Sequence, residues 1–230
     1  MLNLAAAALT FFALHRIVSG SSVRDHIVGL IGERPFRRVF ALASLACLIW
    51  LWLGFLSARN SPWNGVLFAP HAALVILQLP LQLLAILLIV AGVTTRNPTI
   101  AGMGAAVSDR GIVRGVLRIS RHPFLWGIAL FAVGHMLVVP NVAAWGFFGA
   151  LLVLALTGTL SIDAKRHRAH GDDWTVFAAA TSNLPFQAIA TGRQRLKLRE
   201  IGWRRPLLAV TLYGLLVLAH PYLFGVSAVP

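Results

Sequence analysis

The sequence predicts an all-α protein, a polytopic transmembrane helix bundle of about six spans. Three observations carry this. Of its 230 residues, 58% are hydrophobic and 12% charged, and the mean hydropathy is +0.78, a composition foreign to soluble domains. Six apolar segments, near 2–18, 39–56, 72–93, 123–139, 142–162 and 206–224, approach the ~20 residues that a bilayer core requires. None contains Asp, Glu or Lys, and their one Arg, Arg16, lies close enough to a segment end to snorkel to the interface.

The first segment has no basic residue ahead of its apolar run and carries charge on the far side, so it reads as a retained helix rather than a secretory signal. The second holds the single cysteine, Cys47. One cysteine allows no disulfide framework, no Cys-x-x-Cys metal motif and no covalently attached c-type haem. After the third segment, residues 94–121 form a polar loop. Its Gly102-x-Gly104 resembles the start of a dinucleotide fingerprint, but Val107 takes the third glycine's place and no strand precedes it, so it reads as loop.

The fourth segment opens at Pro123, which suits a first helical turn, with Ser120 or His122 placed to cap it. Pro140-Asn141 turns the chain into the fifth segment, which continues as a basic helix through Lys165 and His170. Residues 194–199, Gln-Arg-Leu-Lys-Leu-Arg, suit either a basic amphipathic element on the membrane surface or a solvated loop. In the last segment, Pro221 frees the Val217 carbonyl and kinks the helix beside His220. With no repeat and no linker between two cores, residues 1–230 read as one domain.

Lys and Arg alternate between the loops. The first loop carries five (Arg16, Arg24, Arg34, Arg37, Arg38), the second only Arg59, the third five, the Pro140-Asn141 turn none, and Lys165 to Arg205 nine. By the positive-inside rule the odd loops are cytoplasmic and both termini lie on the opposite side. This pattern also accounts for the net charge of +13 without nucleic acid as a partner. A face carrying this much charge attracts anionic membrane lipid.

Three histidines sit within apolar segments: His15, His135 and His220. An ionisable ring in hydrocarbon is costly unless something binds it, so these positions are expected to face the bundle interior. Two further groups lie at the polar end. Arg121 and His122 either start the fourth helix or hold a carboxylate or phosphate at the mouth of a cavity. Asp163 is expected to pair with Arg166 or Arg121. His167 and His170, three apart, have metal-ligand spacing, although a solvated helix face accounts for them equally simply.

The runs RHPFLWGIALFAVGH, TSNLPFQAIATGRQRL and LAHPYLF, with HRIVSGSSVRDHIVGLIGERPFRRVFALASL near the N-terminus, resemble the NnrU family of integral membrane proteins. The resemblance spans most of the chain except roughly 57–95. It implies a haem b, its iron held by histidine, used for redox-gated isomerisation of the central 15-cis double bond of a poly-cis carotenoid. It also implies a lipophilic substrate entering from the bilayer, an electron donor for the iron, and the bacterial inner membrane as location. By motif position the ligand candidates are His15 and His135; depth along the helices ranks His220 next and then His122, with Arg121 beside it.

The residues bear on that choice. His122 and His135 are 13 positions apart, ~20 Å of rise and ~140° of rotation on one helix, so both cannot bind one iron and a second ligand must come from elsewhere. The depths of His15 and His135 match poorly, whereas His220 lies closer to His135. Phe11, Phe12, Phe124, Trp126, Phe131 and Trp145 are candidate walls of an apolar slot.

Two other function classes stay open. RHPxxxG also occurs in isoprenylcysteine-type membrane methyltransferases that use S-adenosylmethionine, but their later acidic pair is incomplete here, since Ala164 follows Asp163. The family name suggests a non-catalytic haem protein accessory to nitrite and nitric oxide respiration.

Overall fold

The computed structural model describes residues 1–229. It is all-helical: an isolated bridge between Val66 and Asn141 is the one β-type pairing among the described residues. Helix α1 (Leu2–Ala13) runs into a single π-helical turn, Leu14–Val18, before the chain breaks. Helix α2 (Ser22–Ile31) leaves at 74° to it. The break has a local cause: the Ser21 side chain accepts the Val23 N–H (3.2 Å) as an N-cap. Gly20 lies so close to a later helix that a Cβ would sit 2.6 Å from Ser161 Oγ.

Helix α3 (Glu33–Arg59) starts six residues before its apolar stretch, taking Arg34, Arg37 and Arg38 into its first turns. Gly32, at φ 84°, makes the tight entry to it, and Glu33 complements the helix N-terminus. Helix α4 (Ala72–Thr94) is capped by the His71 ring, whose Nδ1 accepts the Ala73 N–H at 3.2 Å, and runs on through Pro80. Helix α5 (Pro123–Val138) begins with proline as expected. The neighbouring polar groups do not cap it: His122 makes no capping bond, and Ser120 Oγ accepts the His122 N–H instead (3.0 Å).

Helix α6 (Val142–Ala180) is capped by the Asn141 side chain on Ala144 N (2.9 Å) and extends 39 residues, breaking helical geometry at Gly171. Helix α7 (Gln187–Ala190) is a single turn. Helix α8 (Arg204–Phe224) closes the chain and continues through Pro221. Residues 194–199 are not an amphipathic helix; the only regular structure there is a short 3-10 turn at Leu198–Glu200.

Four helices, α3, α4, α6 and α8, are long and apolar enough to cross a membrane, and the bent α1–α2 pair passes the same test together. Helix α5 has 16 residues, about 24 Å, and lies between α4 and α6. It packs closely: a Cβ on Gly127 would meet Ala85 O at 2.8 Å and Ile89 N at 2.9 Å, so only glycine permits this α4–α5 approach. Helix α1 packs on α3 and α6, and α8 on α4.

The main core joins α1, α3, α5 and α6 through Leu4, Phe11, Leu51, Phe55, Ala132, Phe147 and Phe148. Outward-facing leucines such as Leu42 (69% exposed) and Leu218 (72%) give α3 and α8 the apolar outer face that a bilayer, not water, accommodates.

Candidate functional site

The three membrane histidines share one device. His15 Nδ1 donates to Phe11 O (2.9 Å) and His135 Nδ1 to Phe131 O (2.8 Å), each one turn back on its own helix. His220 Nδ1 donates to Val226 O (2.7 Å). Each bond favours the Nδ1–H tautomer, in which the Nε2 lone pair has no hydrogen bond among the described residues; Gln82 Nε2 also approaches His135 Nδ1, at 3.3 Å. A metal-ligating imidazole is prepared in this way.

The surroundings differ. His135 stacks on Phe148 (centroids 4.5 Å, 18°) and touches Phe131 (4.4 Å). Buried Gln82 of α4 donates to the same Phe131 carbonyl at 3.1 Å. Aromatic contacts connect His220 to His135 through Phe224, Trp52, Phe147 and Phe148. His15 lies in the π-helical turn between Phe11 (4.6 Å) and Phe40 (5.2 Å). Single π-turns inside helices recur at functional positions.

His15 and His135 are not brought together. Helix α1 runs alongside α6, with Leu4 beside Gly146 and Gly20 beside Ser161, and Arg16 reaches Thr157 O (3.2 Å). His15 therefore lies level with Thr157, whereas His135 stacks on Phe148, nine residues earlier on α6 and about 13 Å away along the axis. Each donor taken singly has the chemistry of an axial iron ligand, but the two stand at separate levels with Phe11, Phe131 and Phe148 of the core between them. Two open cavities of about 370 and 360 Å³ lie along the start of α8, around Trp203, Arg204 and Leu208, and neither is lined by a histidine.

At the polar end a buried ion cluster forms. The Arg121 guanidinium holds Asp163 through Nε (3.0 Å to both oxygens) and Nη2 (2.5 Å), and His122 Nε2 meets Asp163 Oδ1 at 2.7 Å. The carboxylate bound by this pair is thus the chain's own, and the expected pairing of Asp163 falls to Arg121. Arg166 instead donates to Ile100 O (2.8 Å).

The His122 side chain is fully buried, and its Nδ1 has no partner. Burial pushes its imidazole below the ordinary value, against the opposing pull of Asp163. His122 Nε2 is committed to Asp163, and Nδ1 is the ring nitrogen left without a partner.

The TSNLPF run locks this cluster in place. Ser182 O accepts the Arg121 N–H (2.9 Å) and Asn183 O accepts Ser120 Oγ (2.6 Å). Trp126 Nε1 also donates to Asn183 O (2.9 Å), while Asn183 Nδ2 reaches Thr159 Oγ1 (2.9 Å). Asn97 and Thr99 both donate to Arg121 O. The two motifs that carried the resemblance are therefore one buried polar network.

Of the expected aromatic walls, Phe11 and Phe131 touch histidines. Trp126 serves Asn183, and Trp145 donates to Met136 O (3.0 Å). Sequence reasoning missed Gln82, Phe148 and the π-turn. Gln82 carried a signal as one of few polar residues in an apolar span; the other two depend on packing. His167 is exposed, and His170 lies against Gly104.

Apolar helices of spanning length, joined at one end by buried charge, define an integral membrane protein of the polytopic helical class. The chain belongs to the NnrU family, matching the family described as NnrU protein over residues 3–228. It is 32% identical over 117 residues to the chloroplastic 15-cis-zeta-carotene isomerase of Arabidopsis thaliana, covering 49% of this chain and 32% of that one. The Zea mays protein of the same name is 32% identical over 110 residues, 46% of this chain and 30% of the relative. The matched stretch thus spans about a third of each relative's length. No solved structure matches.

Proposed function

We propose that this protein is a membrane-embedded cis–trans isomerase that acts on the central 15-cis double bond of a poly-cis carotenoid of the zeta-carotene type, with haem b as cofactor. The observation that carries the reading is His135: an imidazole in an apolar, aromatic setting with Nδ1 anchored and Nε2 free. The similarity to the two isomerases supports the substrate class. In this reading six segments cross the bacterial inner membrane, with the basic loops cytoplasmic and both termini opposite.

His135 is the residue that would hold the group, with His220 as a further donor; His15, about 13 Å away along the axis, would not share its iron. When bound, haem supplies reversible electron donation that lowers the order of a polyene double bond, with no net redox change. The chain's own part is positioning. Phe131, Phe148, Phe147 and Trp52 offer flat apolar surfaces that hold a rigid polyene by dispersion and exclude water. The Phe131 carbonyl, shared by His135 and Gln82, keeps the imidazole from rotating. Rotation about a double bond of lowered order breaks and forms no bond to hydrogen, so no general acid or base is required.

The ion cluster weighs against the methyltransferase reading, because Arg121 and His122 of RHPxxxG are bound to Asp163. The accessory-protein reading is separated by product analysis. Reduced protein in liposomes, given a 15-cis poly-cis carotene, is expected to yield the 15-trans product by chromatography, and His135→Ala is expected to abolish the yield. A haem-loaded, reduced protein that leaves the 15-cis bond unchanged would overturn the isomerase reading.

A further inference from the structure

The basic end of the bundle gathers cations that the chain does not neutralise. Lys165 and Arg166 follow the Asp163 cluster on α6 and are half-buried; both feel the charge of Arg24 on α2, opposed in part by Glu33 on α3. The loop after α4 folds over them: a Cβ on Gly104 would collide with the Arg166 guanidinium and lie 2.9 Å from His170 Nε2. On the same loop, a Cβ on Gly102 would lie 2.5 Å from Arg37 Nη1 of α3. Two bare glycine backbones thus let side chains from α3 and α6 approach one loop.

The compensating charges are few. Asp25 and Glu33 both bind Arg24, at 3.0 and 2.5 Å. Among the described residues no carboxylate lies within ion-pair distance of Arg37, Lys165 or Arg166. Among the described residues, Arg166 keeps a buried Nε with no hydrogen-bond partner and Lys165 makes no side-chain hydrogen bond. Adjacent half-buried cations with unused donors are unfavourable unless an external anion completes them.

We infer that Arg37, Lys165, Arg166 and His170, with Arg24 behind them, form a binding site for a phosphate group, that of an anionic phospholipid headgroup. The depth fits a headgroup. Lys165 lies one turn beyond Ser161, where the apolar part of α6 ends, and the exposed apolar face of α3 leads up from Arg37. Guanidinium and ammonium donors recognise phosphate oxygens through charge-assisted hydrogen bonds, and a basic pocket between helices at this level is a recurrent lipid-headgroup site.

The test uses the full chain purified in detergent and titrated with phosphatidylglycerol or phosphatidylcholine in mixed micelles, with bound lipid counted by native mass spectrometry. Phosphatidylglycerol is expected to bind selectively. Each cation removed, by Lys165→Gln or Arg166→Gln, is expected to weaken it about fivefold. Arg110→Gln, an exposed charge outside the cluster, is expected to change it less than twofold. Arg37→Gln, on the exposed rim, gives the same reading should the α6 variants fail to fold.

Inorganic phosphate separates the sources: competition at millimolar concentration identifies free phosphate as a ligand, and its failure to compete identifies the lipid. Equal binding of the two lipids, or an equal loss in Arg110→Gln, would overturn the site. Neither readout depends on isomerase activity.

Discussion

Replacing Asp163 by alanine removes the only carboxylate facing two buried or nearly buried bases. The Arg121 side chain is 13% exposed, that of Asp163 18%, and that of His122 fully buried, so water cannot take over the lost contacts. Removing one partner of a buried ion pair leaves an uncompensated charge and costs about 3–5 kcal/mol. The same backbone segment anchors Ser120, Arg121 and Trp126 to 182–183, so the disturbance reaches the start of α5. At roughly 2–4 °C per kcal/mol for a chain of this size, Asp163→Ala is expected to lower Tm by about 6–20 °C. The assay is the loss of the monodisperse peak on heating in detergent, followed by fluorescence-detected gel filtration. Asp163→Asn, which keeps the shape and one accepting oxygen, is expected to fall between the two proteins. A drop below about 2 °C for Asp163→Ala would refute the claim that this cluster organises the polar end.

Other positions give independent tests. Glu200 is held down at about 2 by hydrogen bonds from Arg118 and then from the Gly115 N–H. A depressed carboxyl stabilises the fold above its unfolded value near 4.5, and that contribution is lost as pH falls from about 4.5 through about 2. Glu200→Gln is therefore expected to flatten the acid limb of a Tm-against-pH curve in that window and to lower Tm at pH 7. Gly127→Ala forces a Cβ onto the α4 backbone and is expected to cost about 1–3 kcal/mol in thermal stability. Gly149→Ala, with open space around its Cβ position, is expected to leave Tm unchanged or raise it slightly.

The helices were legible because their cause is local: uninterrupted apolar runs and Pro123 and Asn141 at helix starts can be read without knowing the partner helix. The start of α3 was not. Arg34, Arg37 and Arg38 look like loop to a hydropathy criterion, yet they open the helix ahead of its apolar core, whereas the basic continuation of α6 through Lys165 and His170 is legible as helix. At the site, the polar motifs announced their importance, but their joining depended on tertiary contact. The pairing of Asp163 with one of two arginines is legible, but nothing in the spacing of Arg121 and Asn183 says that the backbone of 182–183 clamps the neighbours of that pair. The depth offset between His15 and His135 could be estimated from helical rise. The π-turn at His15 and the stacking of His135 on Phe148 arise from packing between helices distant in sequence.

The central claim is that free imidazole nitrogens in the apolar core hold a haem iron. The measurement that tests it most directly is the absorption spectrum of the purified protein, oxidised and then reduced, alongside His135→Ala and His15→Ala. A Soret band that shifts on reduction is expected, with haem content falling sharply in His135→Ala. A reduced protein with no Soret band, or a His135→Ala protein with unchanged haem, would contradict it.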